Sequence, residues 1–211
     1  FEFGGEDPTF MIGASCDQLG GNAKLGQGEH FISEVDESDG HFTELHPDIS
    51  VVTNIGKDHL DTYKDQEEIL EGFRQFIDQS KETVICLDDP NSRDVMDHAS
   101  NPFTFGIDRN AELRARDISQ SGIWTNFDLE FRGQKVGSIN LPAPGRHNVY
   151  NALAALSLGY KAGMDFSKMS EIMEDFQLPK RRFQVLQNNG SMIVDDYAHL
   201  PKEIEVTLDA V

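Results

Sequence analysis

Short apolar runs that end in polar residues recur along the chain. Phe31 to Val35 (FISEV), Ile49 to Ile55 (ISVVTNI) and Thr83 to Leu87 (TVICL) are rich in β-branched and aromatic residues and give way to acidic or amide side chains. Runs of this kind read as strands of a parallel sheet covered on both faces, because a half-solvated strand would alternate instead. Between the second and third lies QEEILEGFRQFIDQS, in which Ile69, Leu70, Phe73, Phe76 and Ile77 recur at helical spacing. The local grammar is strand, helix, strand, and the expected connection is a right-handed crossover.

Residues 103 to 141 change character: FTFGI, ELRARDIS, GIWTNFDLEF and KVGSINLP are short segments broken by Gly, Asp and Asn, which predict a small antiparallel sheet. GRHNVYNALAALSLGYKAGM then predicts a long helix with Val149, Ala152, Leu153, Ala155, Leu156 and Leu158 on its buried face and Gly163 as its stop. A second helix, FSKMSEIMEDF, ends before Pro179, and after KRRF come a strand pair, FQVLQ and SMIVDDY, and a helix from Pro201 onward. The expected fold is therefore α/β, with a mostly parallel central sheet flanked by helices and a small antiparallel β subdomain at about 103–141. Residues 1–180 read as one domain and 181–211 as the opening of another. The first residues, FEFGGEDPTFMIG, lack an initiator Met and run straight into strand-like sequence, as in a cut or processed chain.

Composition narrows the function. With 18 basic and 37 acidic residues, the net charge of −19 repels nucleic acid and anionic membrane, and no basic run offsets it. Cys16 and Cys86 lie far apart, which suits a reducing compartment and buried thiols better than a disulfide scaffold. No signal peptide and no apolar run near the ~20 residues of a membrane span is visible, so the chain reads as cytoplasmic.

Ligands in open parallel sheets bind beyond the carboxyl ends of strands. Glu34, Asp36, Glu37 and Asp39 follow one strand, and Asn54, Asp58, His59 and Asp61 the next. Side by side, two such loops would offer hard oxygen ligands and one imidazole, a set that suits Mg²⁺ or Mn²⁺; the alternative is that the acids cap helices and face water. GGNAKLGQG, residues 20 to 28, fits neither GxxxxGK[ST] nor GxGxxG and reads as a surface turn. Asn148 and Asn151, three apart on one helix, suit either a base edge or a cap. Arg181 and Arg182 suit an anion or the surface, and Asp195 and Asp196 repeat the strand-end acid pattern. No GxSxG frame and no reactive Cys context supports a covalent enzyme nucleophile.

In order, SEVDESDG, VVTNIGKDHLDTY, APGRHNVYNALAA, KRRFQ and IVDDYAHLP resemble the Mur ligase family over nearly the whole chain. The resemblance implies an ATP-dependent amide-forming enzyme of peptidoglycan synthesis working through an acyl phosphate, with ATP and Mg²⁺ as cofactors and UDP-N-acetylmuramate and an amino acid, L-alanine, as partners. It further implies Glu34 and His59 as ligands of two magnesium ions, Asn148 and Asn151 facing the adenine, Arg182 and Asp196 contacting the nucleotide, and His199 near the substrate. The family's glycine-rich phosphate loop and UDP-sugar domain are expected to precede residue 1, and its C-terminal domain to continue beyond residue 211; the chain alone is then expected to be inactive. Phe73 and Arg74 stand where several relatives carry a carbamylated lysine, so no carbamate is expected. Ala198, His199 and Leu200 stand where the alanine-adding member usually has Gly-His-His. A recycling or folylpolyglutamate-type ligase, or a non-catalytic module that has lost the phosphate loop, are the alternatives.

Overall fold

The computed structural model describes residues 1–57 and 62–211, apart from the Lys202 side chain. A six-stranded sheet dominates it, formed by β4 (Ile49–Val52), β5 (Glu82–Cys86), β6 (Pro102–Gly106), β7 (Leu113–Ser121), β8 (Trp124–Phe131) and β9 (Gln134–Leu141) in that spatial order. From β4 to β7 the neighbours run parallel, and from β7 to β9 they form an antiparallel meander. The α/β fold with a mostly parallel central sheet is thus as expected. One detail differs: most of FTFGI lies in the parallel strand β6 (Pro102–Gly106), and the antiparallel strands that follow continue the same sheet edge to edge.

The parallel strands are buried on both faces, which explains their apolar runs. In β5, Val84 packs into one core and Ile85 into another, and both are fully buried. The first core joins Phe105, Leu113, Leu129 and Ile139 to α3 (Arg146–Lys161) through Val149, Leu153 and Leu156, with α4 (Phe166–Glu174) packed on β9. The second core joins Val52 and Ile85 to α1 (Gln66–Asp78) through Ile69, Leu70, Phe76 and Ile77. Asp65 caps α1, its carboxylate accepting from Glu68 N–H (3.1 Å), and the Glu68 carboxylate accepts from Lys64 N–H (2.6 Å), one residue before the cap. On α3 the buried stripe takes Ala154, Ser157 and Gly159 in place of the expected Ala155, which faces solvent, and Leu158 is only half-buried. The helix is covered more broadly toward α4 than its leucine spacing alone suggests. Gly163, at φ 91°, follows its end as expected.

A separate three-stranded sheet in the order β2 (Gly21–Lys24), β1 (Thr9–Cys16), β3 (Phe31–Ser33) occupies the N-terminal part. The glycine-rich stretch read as a surface turn is therefore partly a strand, and its remainder binds the chain before β1. Gly28 N–H donates to Asp7 O (2.8 Å), and a Cβ on Gly28 would lie 1.8 Å from Glu6 O, so only glycine allows the approach. A small helix α2 (Pro90–Val95) follows β5, and the chain closes with the hairpin β10 (Gln184–Asn188) and β11 (Met192–Asp195) and the helix α5 (Pro201–Asp209). Among the described residues no helix is long and apolar enough to cross a membrane, and Cys16 and Cys86 are buried and unpaired.

Because Leu153 is fully buried and Ala155 exposed, Leu153→Ala should lose about 2–5 kcal/mol in denaturant unfolding. Ala155→Ser should stay within roughly 0.5 kcal/mol of the parent.

Candidate active site

Glu34 follows β3 directly, and its carboxylate accepts from Gly13 N–H at 2.7 Å while the residue stays exposed. A Cβ on Gly13 would lie 3.0 Å from Glu34 Oε1, so the glycine lets the carboxylate rest on the β1 backbone. Asp36 and Asp39 form local turns, accepting from Ser38 N–H (2.8 Å) and His41 N–H (2.9 Å). The strand bearing Glu34 is not a hydrogen-bonded neighbour of the strand bearing Asn54, contrary to the expectation of adjacent strands in one sheet: β3 pairs with β1, and β4 with β5. The two loops meet instead through a tyrosine. The Tyr63 hydroxyl donates to Glu37 O, and burial together with the negative field of Glu37, Asp39, Glu68 and Asp36 pushes its pKa up. Asn54 is exposed. His59, Asp58 and Asp61 lie outside the described residues, and among the described residues no group of three or more potential metal ligands forms.

The neighbouring strand ends are fixed by two acids that sequence reasoning passed over. Asp88, after β5, accepts from Ile107 N–H (2.6 Å), Asp108 N–H (2.9 Å), Arg109 N–H (2.8 Å) and the Tyr150 hydroxyl (2.9 Å). Burial alone would raise its pKa, but these donors outweigh burial and hold it below the usual aspartate range. Tyr150 moves the other way, raised by burial and by Asp88. Asp89 caps α2 through Ser92 N–H (2.7 Å) and also receives Ile55 N–H (3.3 Å). Asn91 donates to Ile55 O (2.7 Å). The ends of β4, β5 and β6 are thereby tied together. The sequence LDDP carried the signal for the cap, an acid followed by proline at the first helical position.

At the start of α3, Asn148 is buried and donates to Pro144 O at 2.7 Å, whereas Asn151 is exposed. The pair expected to act together therefore has one member partly committed to the backbone. His147 is half-buried; burial lowers its pKa, opposed by Asp196 and reinforced by Arg182. The charges of Arg182 and Asp196, 35 and 49 residues further on, thus act on His147 in the first turn of α3. Asp196 accepts from Phe183 N–H (2.7 Å) and Ala198 N–H (2.8 Å), and the guanidinium groups of Arg181 and Arg182 lie 5.0 and 5.7 Å from the Tyr197 ring centre. His199 is exposed, 3.3 Å from the Glu203 carboxylate.

The profile of the Mur ligase middle domain matches residues 15–159. The chain belongs to that family. It is similar to proteins named UDP-N-acetylmuramate–L-alanine ligase: 42% identical to that of Pelotomaculum thermopropionicum over 99% of this chain and 47% of the relative. It is 43% identical to that of Geotalea daltonii over 98% and 46%. The crystal structure of UDP-N-acetylmuramate-alanine ligase from Thermotoga maritima superimposes with a TM-score of 0.88 at 28% identity, covering 99% of this chain and 48% of that one. The chain spans about half the length of the curated relatives it matches. Within this Mur ligase middle domain, the described strand ends and the first turn of α3 form the polar rim of the sheet.

Asp88 predicts a pH signature. A carboxylate held below its unfolded value stabilises the fold above that value, about 3.9 for aspartate, and loses the contribution as pH falls through the folded one. Asp88→Asn should therefore be less stable than the parent at neutral pH by about 1–3 kcal/mol. The gap should narrow on acidification below about pH 4 in parallel denaturant titrations.

Proposed function

We propose that this chain is the ATP-handling part of a cytoplasmic ligase that joins L-alanine to UDP-N-acetylmuramate in peptidoglycan precursor synthesis. The match to ligases of that name across 99% of the chain carries the reading. In the proposed reaction ATP phosphorylates the carboxylate of the sugar nucleotide, the amine of alanine attacks the acyl phosphate, and ADP and phosphate leave. Such transfers ask little covalent work of the protein and much positioning and charge neutralisation. Residues 1–180 constitute the ATP domain in this reading and 181–211 the start of the next, with further domains of the enzyme as partners.

The donor set at Glu34 suits magnesium. Mg²⁺ keeps most of its water and takes one or two carboxylates together with phosphate oxygens, and the exposed Glu34 carboxylate, steadied by Gly13 N–H, offers one such oxygen ligand. When bound, the ion would neutralise phosphate charge. His59 is proposed as the second magnesium ligand from the sequence resemblance. At α3, Asn151 would meet the adenine with its free amide. Asn148 has one N–H on Pro144 O and keeps a second N–H and its carbonyl oxygen for a base edge. Arg182 and Asp196 would approach the nucleotide from the following segment, where their charges already reach His147. His199, exposed beside Glu203, would face the substrates.

In an enzyme of full family length carrying this sequence, phosphate release should require both UDP-N-acetylmuramate and L-alanine. Glu34→Ala should lower kcat roughly 10²-fold or more with an unchanged melting temperature, and Asn151→Ala should raise KM for ATP more than it lowers kcat. Near-parental rates in natively melting variants would return both residues to the solvated surface.

The chain itself offers a readout free of turnover. Millimolar Mg²⁺ should raise its thermal midpoint more than monovalent salt of equal ionic strength, because a ligand selective for the native state stabilises it by RT ln(1 + [L]/Kd). Glu34→Gln should reduce that increment.

A further inference from the structure

The antiparallel half of the sheet carries a bulge whose effect falls on one side chain. Arg116 pairs with Asp128 and Ser119 with Asn126, so Asp117 and Ile118 together oppose the single residue Phe127. Asp117 takes φ 49°, as the extra residue of a bulge often does. Before the bulge, the buried Leu113 and Ala115 point toward α3. An uninterrupted strand would keep odd-numbered residues on that face and send Gln120 to the other. The inserted residue reverses the alternation, and Gln120 pairs with the buried Thr125 and shares its face.

Both side chains of that pair grip the turn leading into α3. Thr125 Oγ1 donates to Ala143 O at 2.8 Å, and Gln120 Oε1 accepts from Gly145 N–H at 3.0 Å. The other end of the same amide goes elsewhere: Gln120 Nε2 donates to Ala210 O at 2.9 Å. Ala210 caps the C-terminus of α5 and is 2% exposed, and its carbonyl is among those a helix C-terminus leaves without an intrahelical partner. The contact beneath is close. A Cβ on Gly145 would lie 2.9 Å from Ala210 Cβ and 2.7 Å from His147 Cε1.

We propose that Gln120 is a positioning residue, a two-ended latch through which the docking of α5 and the order of the turn into α3 depend on each other. Its carbonyl oxygen holds the turn and its NH₂ group holds the helix, so neither bond can keep its geometry when the other partner moves away. While Gln120 holds both ends the coupling is reciprocal: whatever orders the turn tightens α5, and whatever displaces α5 loosens the turn. The inference goes beyond the ligase reading and touches it at one point, since the helix so positioned bears Asn148 and Asn151.

Amide hydrogen exchange read by NMR on the 211-residue chain separates the two ends. In Gln120→Ala both bonds are gone, and the amides of Gly145 and of residues 201–211 should exchange up to roughly tenfold faster, the factor that a hydrogen bond of ordinary strength represents. Gln120→Glu keeps an acceptor for Gly145 N–H and loses the donor to Ala210 O. It should preserve Gly145 protection and still release α5. Displacing the helix with Ala210→Trp should accelerate Gly145 exchange when Gln120 is present and add little in Gln120→Ala, a non-additivity that a merely structural side chain would not produce. Parental exchange of residues 201–211 in both Gln120 variants would overturn the proposal. So would strict additivity with Ala210→Trp, or an acceleration that extends equally into α1.

Discussion

Everything in this domain depends on strands that have no solvent face. In β5, Val84 belongs to the core beneath α3 and Ile85 to the core beneath α1, so the strand is the partition between two hydrophobic clusters. A strand so placed cannot slip by one residue without exchanging its entire side-chain set between cores of different shape. Its carboxyl end is fixed in consequence, and polar residues first become affordable there. Asp88 and Asp89 sit at that point, one gathering the backbone after β6 and the other the start of α2 and the end of β4. The polar rim is therefore a product of the apolar core.

The rim concentrates negative charge in a chain already at −19. Most of the acids there have local duties: Asp36 and Asp39 close turns, Asp88 and Asp89 bind backbone amides, and Asp196 joins Phe183 to Ala198. Glu34 is exposed like Asp36 and Asp39, but its bond runs to another strand, at Gly13, rather than closing a turn two residues on. A carboxylate has about four lone-pair sites, so one backbone bond leaves Glu34 oxygen sites to share with a cation.

The parallel strands and α1 were legible in the sequence because their periodicities reflect burial directly, an unbroken apolar run for two covered faces and a repeat near 3.6 for one. The antiparallel hairpins were legible through their turn residues. The pairing of β3 with β1 was not, since an isolated three-residue strand states no partner. Nor was Asp88, whose partners lie between 19 and 62 residues away. Asn148 and Asn151 were found by spacing, which left a base edge and a cap open for both, and only the tertiary structure distinguished the buried amide bonded to Pro144 O from the exposed one.

By itself the sequence determined the chain's family, through motifs whose order survives any folding, and the fold class, through hydrophobic periods that follow from the geometry of helix and strand. Tertiary structure alone decided which polar groups meet. Asp88 reaches the Tyr150 hydroxyl, and Gln120 reaches Gly145 and Ala210, across separations that no local pattern encodes. The reason is physical: periodicity records the burial of each residue against an average interior, whereas a hydrogen bond requires two particular atoms within about 3 Å, a condition set by the placement of whole elements.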